Sequence, residues 1–286
     1  MAAPGGEVAT FHAPAKVNLN LRITGRRDDG YHLLDSTVIF TEFGDRLTVR
    51  PAAGEDSVEV TGPFAPLLAG EPDNICLRAI KAYRDIGGVI GPLAVTVEKN
   101  IPVGAGLGGG SSDAAAMLRY LDRRATHRID PVARAALAAA LGADVPVCLA
   151  GVASRMRGIG DILDPVDPAP SGHIVLARPD AMLATPVVFR AFAESGHVFA
   201  ENNVAPDGKT AGQIVEDGND LLAAAQHLCP EIGMLLDALR HCAGAELAQM
   251  TGSGSACFAL FADAPQATAA AAQMTSAGHW AVASSF

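Results

Sequence analysis
Pro102-Val103-Gly104-Ala105-Gly106-Leu107-Gly108-Gly109-Gly110-Ser111-Ser112 packs five glycines into seven residues and then runs into an alanine-rich segment. Ala114, Met117, Leu118, Leu121 and Ala125 recur there at steps of three and four, the spacing of one helical face. Upstream, Leu93-Ala94-Val95-Thr96-Val97-Glu98-Lys99 alternates apolar and polar residues as a half-buried strand does. The order is therefore strand, glycine loop, helix N-terminus. Such a helix start carries unpaired N–H groups and the positive end of the helix dipole, which together favour an anion. Glycine permits positive φ and lets a phosphate approach the backbone. The stretch predicts a phosphate cradle.

Three phosphate-loop patterns compete. A Walker loop needs Lys-Ser/Thr directly after its second glycine, and here Gly110 stands at the lysine position. Gly104, Gly106 and Gly109 satisfy G-x-G-x-x-G. A dinucleotide fold would continue into a second strand with an acidic residue about 20 residues on. Asp130-Pro131 instead opens a second helix that ends at Leu141-Gly142, which argues against NAD. The third pattern, Pro-x-Gly-x-Gly-Leu-Gly-x-Gly-Ser-Ser-x-Ala, resembles the ATP loop of the GHMP small-molecule kinases.

The 286 residues suggest one large or two modest domains, and 49% hydrophobic residues supply a sizeable core. No apolar run reaches the ~18 residues of a membrane span. Met1–Glu7 lacks the basic and apolar regions of a secretory leader. Cys76, Cys148, Cys229, Cys242 and Cys257 form an odd, scattered set. They are expected as buried free thiols of a cytoplasmic protein, not as disulfides or a zinc site. A formal charge of −10 argues against wholesale nucleic-acid binding. A polyanionic substrate must then be drawn in by local basic groups and backbone dipoles.

Residues 8–23 predict two strands broken at Pro14. In the second, Val17, Leu19, Leu21 and Ile23 face the core, and Lys16, Asn18, Asn20 and Arg22 share the other face. Asparagine is a poor strand former, so Asn18 and Asn20 on one face point to a polar site beneath it, with Arg22 in solvent. Gly25–Gly30 predicts a turn, and Tyr31-His32 opens a strand to about Phe40. Further strands are expected at 45–51 and 57–61. A helix capped by Asp73 is expected to end at Gly87-Gly88. Asp144 falls in a short connection before Pro146, where aspartate is usually a cap or turn former. From Gly172 the expected order is strand 173–178, a helix capped by Thr185-Pro186, helices near 219–228 and 230–242, strands 245–250 and 256–261, helix 265–276 and strand 280–285. That order suggests a ferredoxin-like layer with extra helices in its first crossover. Thr251-Gly252-Ser253-Gly254-Ser255 reads as a tight hairpin, with a role beside the first glycine loop equally open.

Six blocks together resemble the 4-diphosphocytidyl-2-C-methyl-D-erythritol kinase family. They are Ala13–Leu21, Asp29–His32, Pro102–Ala116, Leu141–Pro146, Asn219–Leu222 and Thr251–Ser255, in family order across nearly the whole chain. The resemblance implies an α+β, two-domain GHMP kinase fold. Its N-terminal lobe would be ribosomal-S5-domain-2-like and bind ATP (1–156), and its C-terminal lobe ferredoxin-like (157–286). It implies transfer of the γ-phosphoryl of ATP to the 2-hydroxyl of the cytidyl substrate in non-mevalonate isoprenoid synthesis. Asp144 matches the family's catalytic aspartate and Lys16 its catalytic lysine. Pro102, Val103, Gly104, Ala105, Gly106, Leu107, Gly108, Gly109, Gly110, Ser111 and Ser112 would cradle ATP, with Asn74 and Lys99 flanking the adenosine. Tyr31 would stack on cytosine, His32 hydrogen-bond it, and Phe189 form its other face. Asn18 and Thr185 would lie beside the sugar alcohol. Mg²⁺ is implied as a cofactor, held chiefly by the ATP phosphates and water, with no protein ligand assigned. A monomer or homodimer in the cytoplasm is expected. The alternatives are a mevalonate- or homoserine-type GHMP kinase, and a non-catalytic nucleotide sensor on the same fold.

Overall fold
Alternating apolar residues carry the first strand straight through its proline. In the computed structural model, which describes residues 8–69, 73–200 and 206–286, β1 spans Ala9–Asn18 and β2 spans Arg22–Arg26. The expected break at Pro14 falls instead between Asn18 and Arg22. A strand tolerates proline where the missing donor has no ladder partner to lose, and the Pro14 carbonyl still accepts from Ser112 Oγ at 2.6 Å. Met1–Glu7, where no leader is expected, and residues 201–205 lie outside the described residues.

β3 (His32–Pro51) is one strand of 20 residues where two were expected. Gly44 joins the halves: a Cβ there would lie 2.3 Å from the Ala13 carbonyl, so only glycine lets the strands pass. β4 (Ser57–Thr61) falls where expected, followed by a 3₁₀ turn at Ala65–Leu68. α1 (Ile75–Asp85) is capped by Asn74, whose side chain accepts from Cys76 N at 2.9 Å. Asp73, the expected cap, pairs with Arg78 at 3.8 Å. Adjacent Asp and Asn are equivalent caps by residue type, so composition could not choose between them. β5 (Leu93–Glu98), α2 (Gly109–Arg124) and α3 (Pro131–Leu141) follow the sequence pattern. α4 (Val145–Ala150) begins directly after Asp144 and takes Pro146 into its first turn, where a missing N–H loses no helical bond.

The chain gathers into two compact units that are interleaved in sequence. The first comprises the chain up to Ala15, Gly44–Val103 and Gly108–Gly151; the second takes Lys16–Phe43, Gly104–Leu107 and Val152–Phe286. In the first unit, β4 runs parallel to β5, and β5 antiparallel to the C-terminal half of β3. Val95 and Val97 of β5 meet Ile80 and Tyr83 of α1 and Met117, Leu118 and Leu121 of α2 in one core. Each such large side chain contributes about 1.5–3 kcal/mol on burial.

In the second unit, β2 and β6 (Ser154–Gly158) both pair antiparallel with the N-terminal half of β3, and β7 (Ile162–Pro165) pairs with β6. The four-stranded sheet has the order β11-β8-β10-β9, with every neighbour antiparallel: β8 His173–Arg178, β9 Ala245–Met250, β10 Cys257–Phe261 and β11 Trp280–Ser285. α5 (Thr185–Glu194), α6 (Ala211–Val215), α7 (Leu222–Leu228) and α8 (Glu231–Arg240) fill the first crossover, and α9 (Ala264–Ser276) the second. This is the expected ferredoxin-like layer. The α5 N-cap is Ala184 and makes no side-chain bond, so Thr185 is released from the expected capping role. The five cysteines are buried thiols that form no disulfide.

Candidate active site
The glycine loop alternates between anchoring and exposing its residues. Ala105 and Leu107 are buried, and their carbonyls are taken: Lys16 N donates to Leu107 O at 2.9 Å and Ala256 N to Ala105 O at 3.0 Å. Between them Gly104, Gly106 and Gly108 hold φ of 67°, 78° and 66°, a conformation that costs other residues roughly 1–2 kcal/mol. Gly108 is the N-cap of α2 and has no side chain to offer, so the first N–H groups of this 16-residue helix are left for a ligand. Gly110 is exposed at the helix start, and Ser111 is half-buried beside it. Ser112 Oγ is committed to Pro14 O, which ties α2 to β1.

Behind the loop, in the first unit, Lys99 is 4% exposed and donates to Asp113 Oδ2 at 2.6 Å and to Asp45 Oδ2. Asp45 Oδ1 also accepts from Asn100 N and Ile101 N at 2.6 and 2.7 Å, fixing the strand-to-loop transition. A Cβ on Gly109 would sit 3.0 Å from Lys99 Nζ, so the ammonium lies directly under the helix start. Burial alone would lower the lysine pKa, but Asp113 and Asp45 outweigh it and hold the ammonium charged. Burial pushes Asp113 up to about 7, against the pull of Lys99, because a second carboxylate exceeds what one ammonium neutralises. Asp113 Oδ1 is buried without a partner among the described residues. Asp45 is a member of this cluster that nothing in the sequence separated from an ordinary strand-end aspartate.

The first unit also holds Asn74 and Asp144. Asn74 lines an open cavity of about 600 Å³ with Val58, Val60, Gly62, Pro66 and Leu77. Gly62 holds φ of 88°, and a Cβ there would strike the Lys99 backbone at 2.8 Å. Asp144 occupies the N-cap position of α4, yet its side chain makes no capping bond. Asp130 and Asp263, at the starts of α3 and α9, do cap. The ordinary reason for an aspartate at a helix start therefore does not account for Asp144.

The second unit gathers the remaining candidates. Lys16 is 4% exposed, and its Nζ donates to Asn18 Oδ1 at 2.8 Å. Asn18 Nδ2 donates to Ser36 Oγ at 2.7 Å, and Asn18 N to Thr251 Oγ1 at 2.8 Å. Asn20 Oδ1 accepts from Thr37 N at 2.6 Å. The polar face expected under β1 is thus a buried hydrogen-bonded network, while Arg22 pairs with Asp220 at 3.0 Å. Ser36 and Thr251 extend the network; alternation could not reveal them, because they arrive from distant segments. His32 packs on Phe189 with ring centroids 5.1 Å apart and on Phe192 at 5.9 Å. Burial, then Arg26, lowers the His32 pKa, so the ring is neutral at neutral pH, and its Nε2 is buried without a partner among the described residues. Tyr31 is 63% exposed beside it. Thr185 Oγ1 lies 2.9 Å from Ser253 Oγ.

The strand–glycine-loop–helix cradle and the ferredoxin-like layer agree with the family patterns that match this chain. GHMP kinases N terminal domain matches residues 74–152, and GHMP kinases C terminal matches 199–279, so the chain is a GHMP kinase. The 4-diphosphocytidyl-2-C-methyl-D-erythritol kinase of Paracoccus denitrificans is 48% identical over 278 residues, covering 95% of this chain and 94% of the relative. That of Granulibacter bethesdensis is 44% identical over 93% of this chain and 89% of its own length. The chain belongs to the 4-diphosphocytidyl-2-C-methyl-D-erythritol kinase family. A solved 4-(cytidine 5'-diphospho)-2C-methyl-D-erythritol kinase superposes with a TM-score of 0.81 at 34% identity, over 97% of this chain and 98% of that one. A homoserine kinase from Cytophaga hutchinsonii, at 15% identity and a TM-score of 0.66 over 100% of this chain and 95% of its own, shares the fold.

Proposed function
We propose that this chain transfers the γ-phosphoryl group of ATP to the 2-hydroxyl of 4-diphosphocytidyl-2-C-methyl-D-erythritol. The observation that carries the reading is the conjunction, in a chain 48% identical to a kinase of that name, of an uncapped glycine helix start with an aspartate that does not cap its own helix. Phosphoryl transfer needs positioning and charge stabilisation more than covalent chemistry. Gly108–Ser111 offer backbone donors to the phosphates at the positive end of α2. The cavity beside Asn74, with its valine and leucine lining, suits the flat apolar face of adenine. Lys99, buried behind Gly109 and held by two carboxylates, is assigned with Asn74 to the nucleotide side, where it supplies a fixed charge.

Asp144 is assigned the proton of the acceptor hydroxyl, a role typically contributing ~10²–10⁴-fold. Lys16, desolvated and hydrogen-bonded to Asn18, is assigned to orient that hydroxyl and offset developing charge. Tyr31 and Phe189 supply faces for cytosine, the neutral His32 ring a polar edge, and Thr185 and Asn18 contacts to the sugar alcohol. Mg²⁺ is assigned to the triphosphate and water, as this hard ion often is. No helix of the described residues is long and apolar enough to cross a membrane.

The test is a substrate comparison. With ATP and Mg²⁺, the cytidyl alcohol should turn over with kcat/KM far above that for mevalonate or homoserine, because a small acid leaves the aromatic faces unused. Turnover of mevalonate or homoserine alone would assign another GHMP activity, and ATP binding with no turnover of any of them would make the chain a sensor.

A further inference from the structure
Two of the sequence blocks, Asn219–Leu222 and Thr251–Ser255, have no part in this scheme, and within the second unit they are joined. Asn219 sits in the turn before α7 and is 9% exposed. Its Nδ2 donates to Met250 O and to Gly252 O, both at 2.9 Å, and its Oδ1 accepts from Leu221 N at 2.9 Å. One neutral side chain thus holds the two carbonyls on either side of Thr251. An aspartate would place an oxygen against two carbonyls, and an alanine would leave both buried and unpartnered.

The loop so held touches candidates from both sides of the reaction. Thr251 Oγ1 accepts from Asn18 N at 2.8 Å, and Ser253 Oγ meets Thr185 Oγ1 at 2.9 Å. Ala256 N, at the loop's end, donates to Ala105 O at 3.0 Å. A Cβ on Gly106 would lie 2.8 Å from Gly254 O, so the two glycine loops are in backbone contact. Gly252 and Gly254, at φ of 57° and 83°, give the loop little conformational preference of its own, so its shape depends on what binds it.

We propose that Asn219 is a positioning residue: it fixes the Thr251–Ser255 loop, and that one loop sets Gly104–Leu107 for the nucleotide and Asn18 and Thr185 for the acceptor. The inference rests on the functional reading above. It is tested in the full-length enzyme with Asn219→Ala, and with the pair Thr251→Val and Thr251→Ser. Asn219→Ala should lower kcat about 10²-fold, the order expected for a slight misplacement of reacting groups, and raise KM for ATP and for the cytidyl alcohol together. Thr251→Val should raise KM for the cytidyl alcohol, and Thr251→Ser, which keeps the hydroxyl, should restore it. A role confined to folding would instead lower the melting temperature and the active fraction and leave both KM values at wild type, which overturns the proposal. A change in only one KM in Asn219→Ala also overturns it. If that variant does not fold, the Thr251 pair decides: equal KM values in both sink the inference. If wild-type protein fails to phosphorylate the cytidyl alcohol, the functional reading falls, and the Kd for ATP carries the test alone. Weaker ATP binding by Asn219→Ala then supports the proposal, and unchanged binding overturns it.

Discussion
Pro102–Ser112 and Thr251–Ser255 share a glycine-serine composition and do opposite things with it. The first runs into a helix whose N-cap, Gly108, makes no side-chain capping bond, so its first amides lack intrahelical acceptors. The second runs into strand β10 and is tied into the protein by its own backbone: Thr251 N bonds Ala256 O at 3.1 Å, Gly254 N bonds Thr251 O at 3.0 Å, and Ala256 N, just beyond the loop, reaches across to Ala105 O at 3.0 Å. The positive φ values are alike in both. What distinguishes a binding loop from a supporting one here is the element that follows, since a helix start leaves its first amides without intrahelical acceptors. Gly106 and Gly254 serve the approach of one loop's backbone to the other's, whereas Gly110, where a Cβ meets nothing within 4 Å, is the glycine left for approach by a ligand.

Three substitutions press on that contrast. Gly106→Ala breaks it most directly, because it strikes the contact between the loops: φ is 78° and the new methyl meets Gly254 O at 2.8 Å. Steady-state kinetics should show kcat/KM for ATP lowered about 10²-fold. Gly110→Ala sharpens it. A methyl there meets nothing within 4 Å, and the residue is already helical, so the fold does not require glycine. The variant without ligand should gain about 0.5–1 kcal/mol in thermal melts, while calorimetry should show weaker ATP binding. Unchanged affinity would mean that no phosphate approaches Gly110. The smallest effect is expected behind the loop, at Asp113→Asn. Asp113 is raised to about 7 from its ordinary 3.8, so between these values the folded protein keeps a proton the unfolded chain has lost. Its contribution therefore becomes less favourable as pH rises through that window. The melting temperature of Asp113→Asn minus that of wild type should increase from about pH 5 to about pH 8; a constant difference would remove the raised carboxyl from the account.

What the sequence made legible was local. The glycine loop, the polar face of Lys16, Asn18 and Asn20, the Asp130-Pro131 helix start and the ferredoxin-like order all follow from spacings within about one element. Asp144 looked like a cap, and only the family resemblance singled it out. Its unusual feature, a helix-start carboxylate that does not cap, exists only in three dimensions. Lys99 read as a lysine at a strand end; its two carboxylates come from positions 54 and 14 residues away. Asn219 was part of a quoted block with no role, because its partners lie 31 and 33 residues on. The interleaving that builds Lys16–Phe43 and Gly104–Leu107 into the second unit is likewise non-local, and no periodicity encodes it.

The central claim, that the loop binds ATP while Asp144 carries the chemistry, is tested most directly by Asp144→Asn in the full-length enzyme. The variant keeps the shape and removes the base. The account predicts ATP binding within about twofold of wild type and kcat for the cytidyl alcohol reduced by ~10²–10⁴-fold. Near-wild-type turnover, or loss of ATP binding in step with turnover, would contradict it.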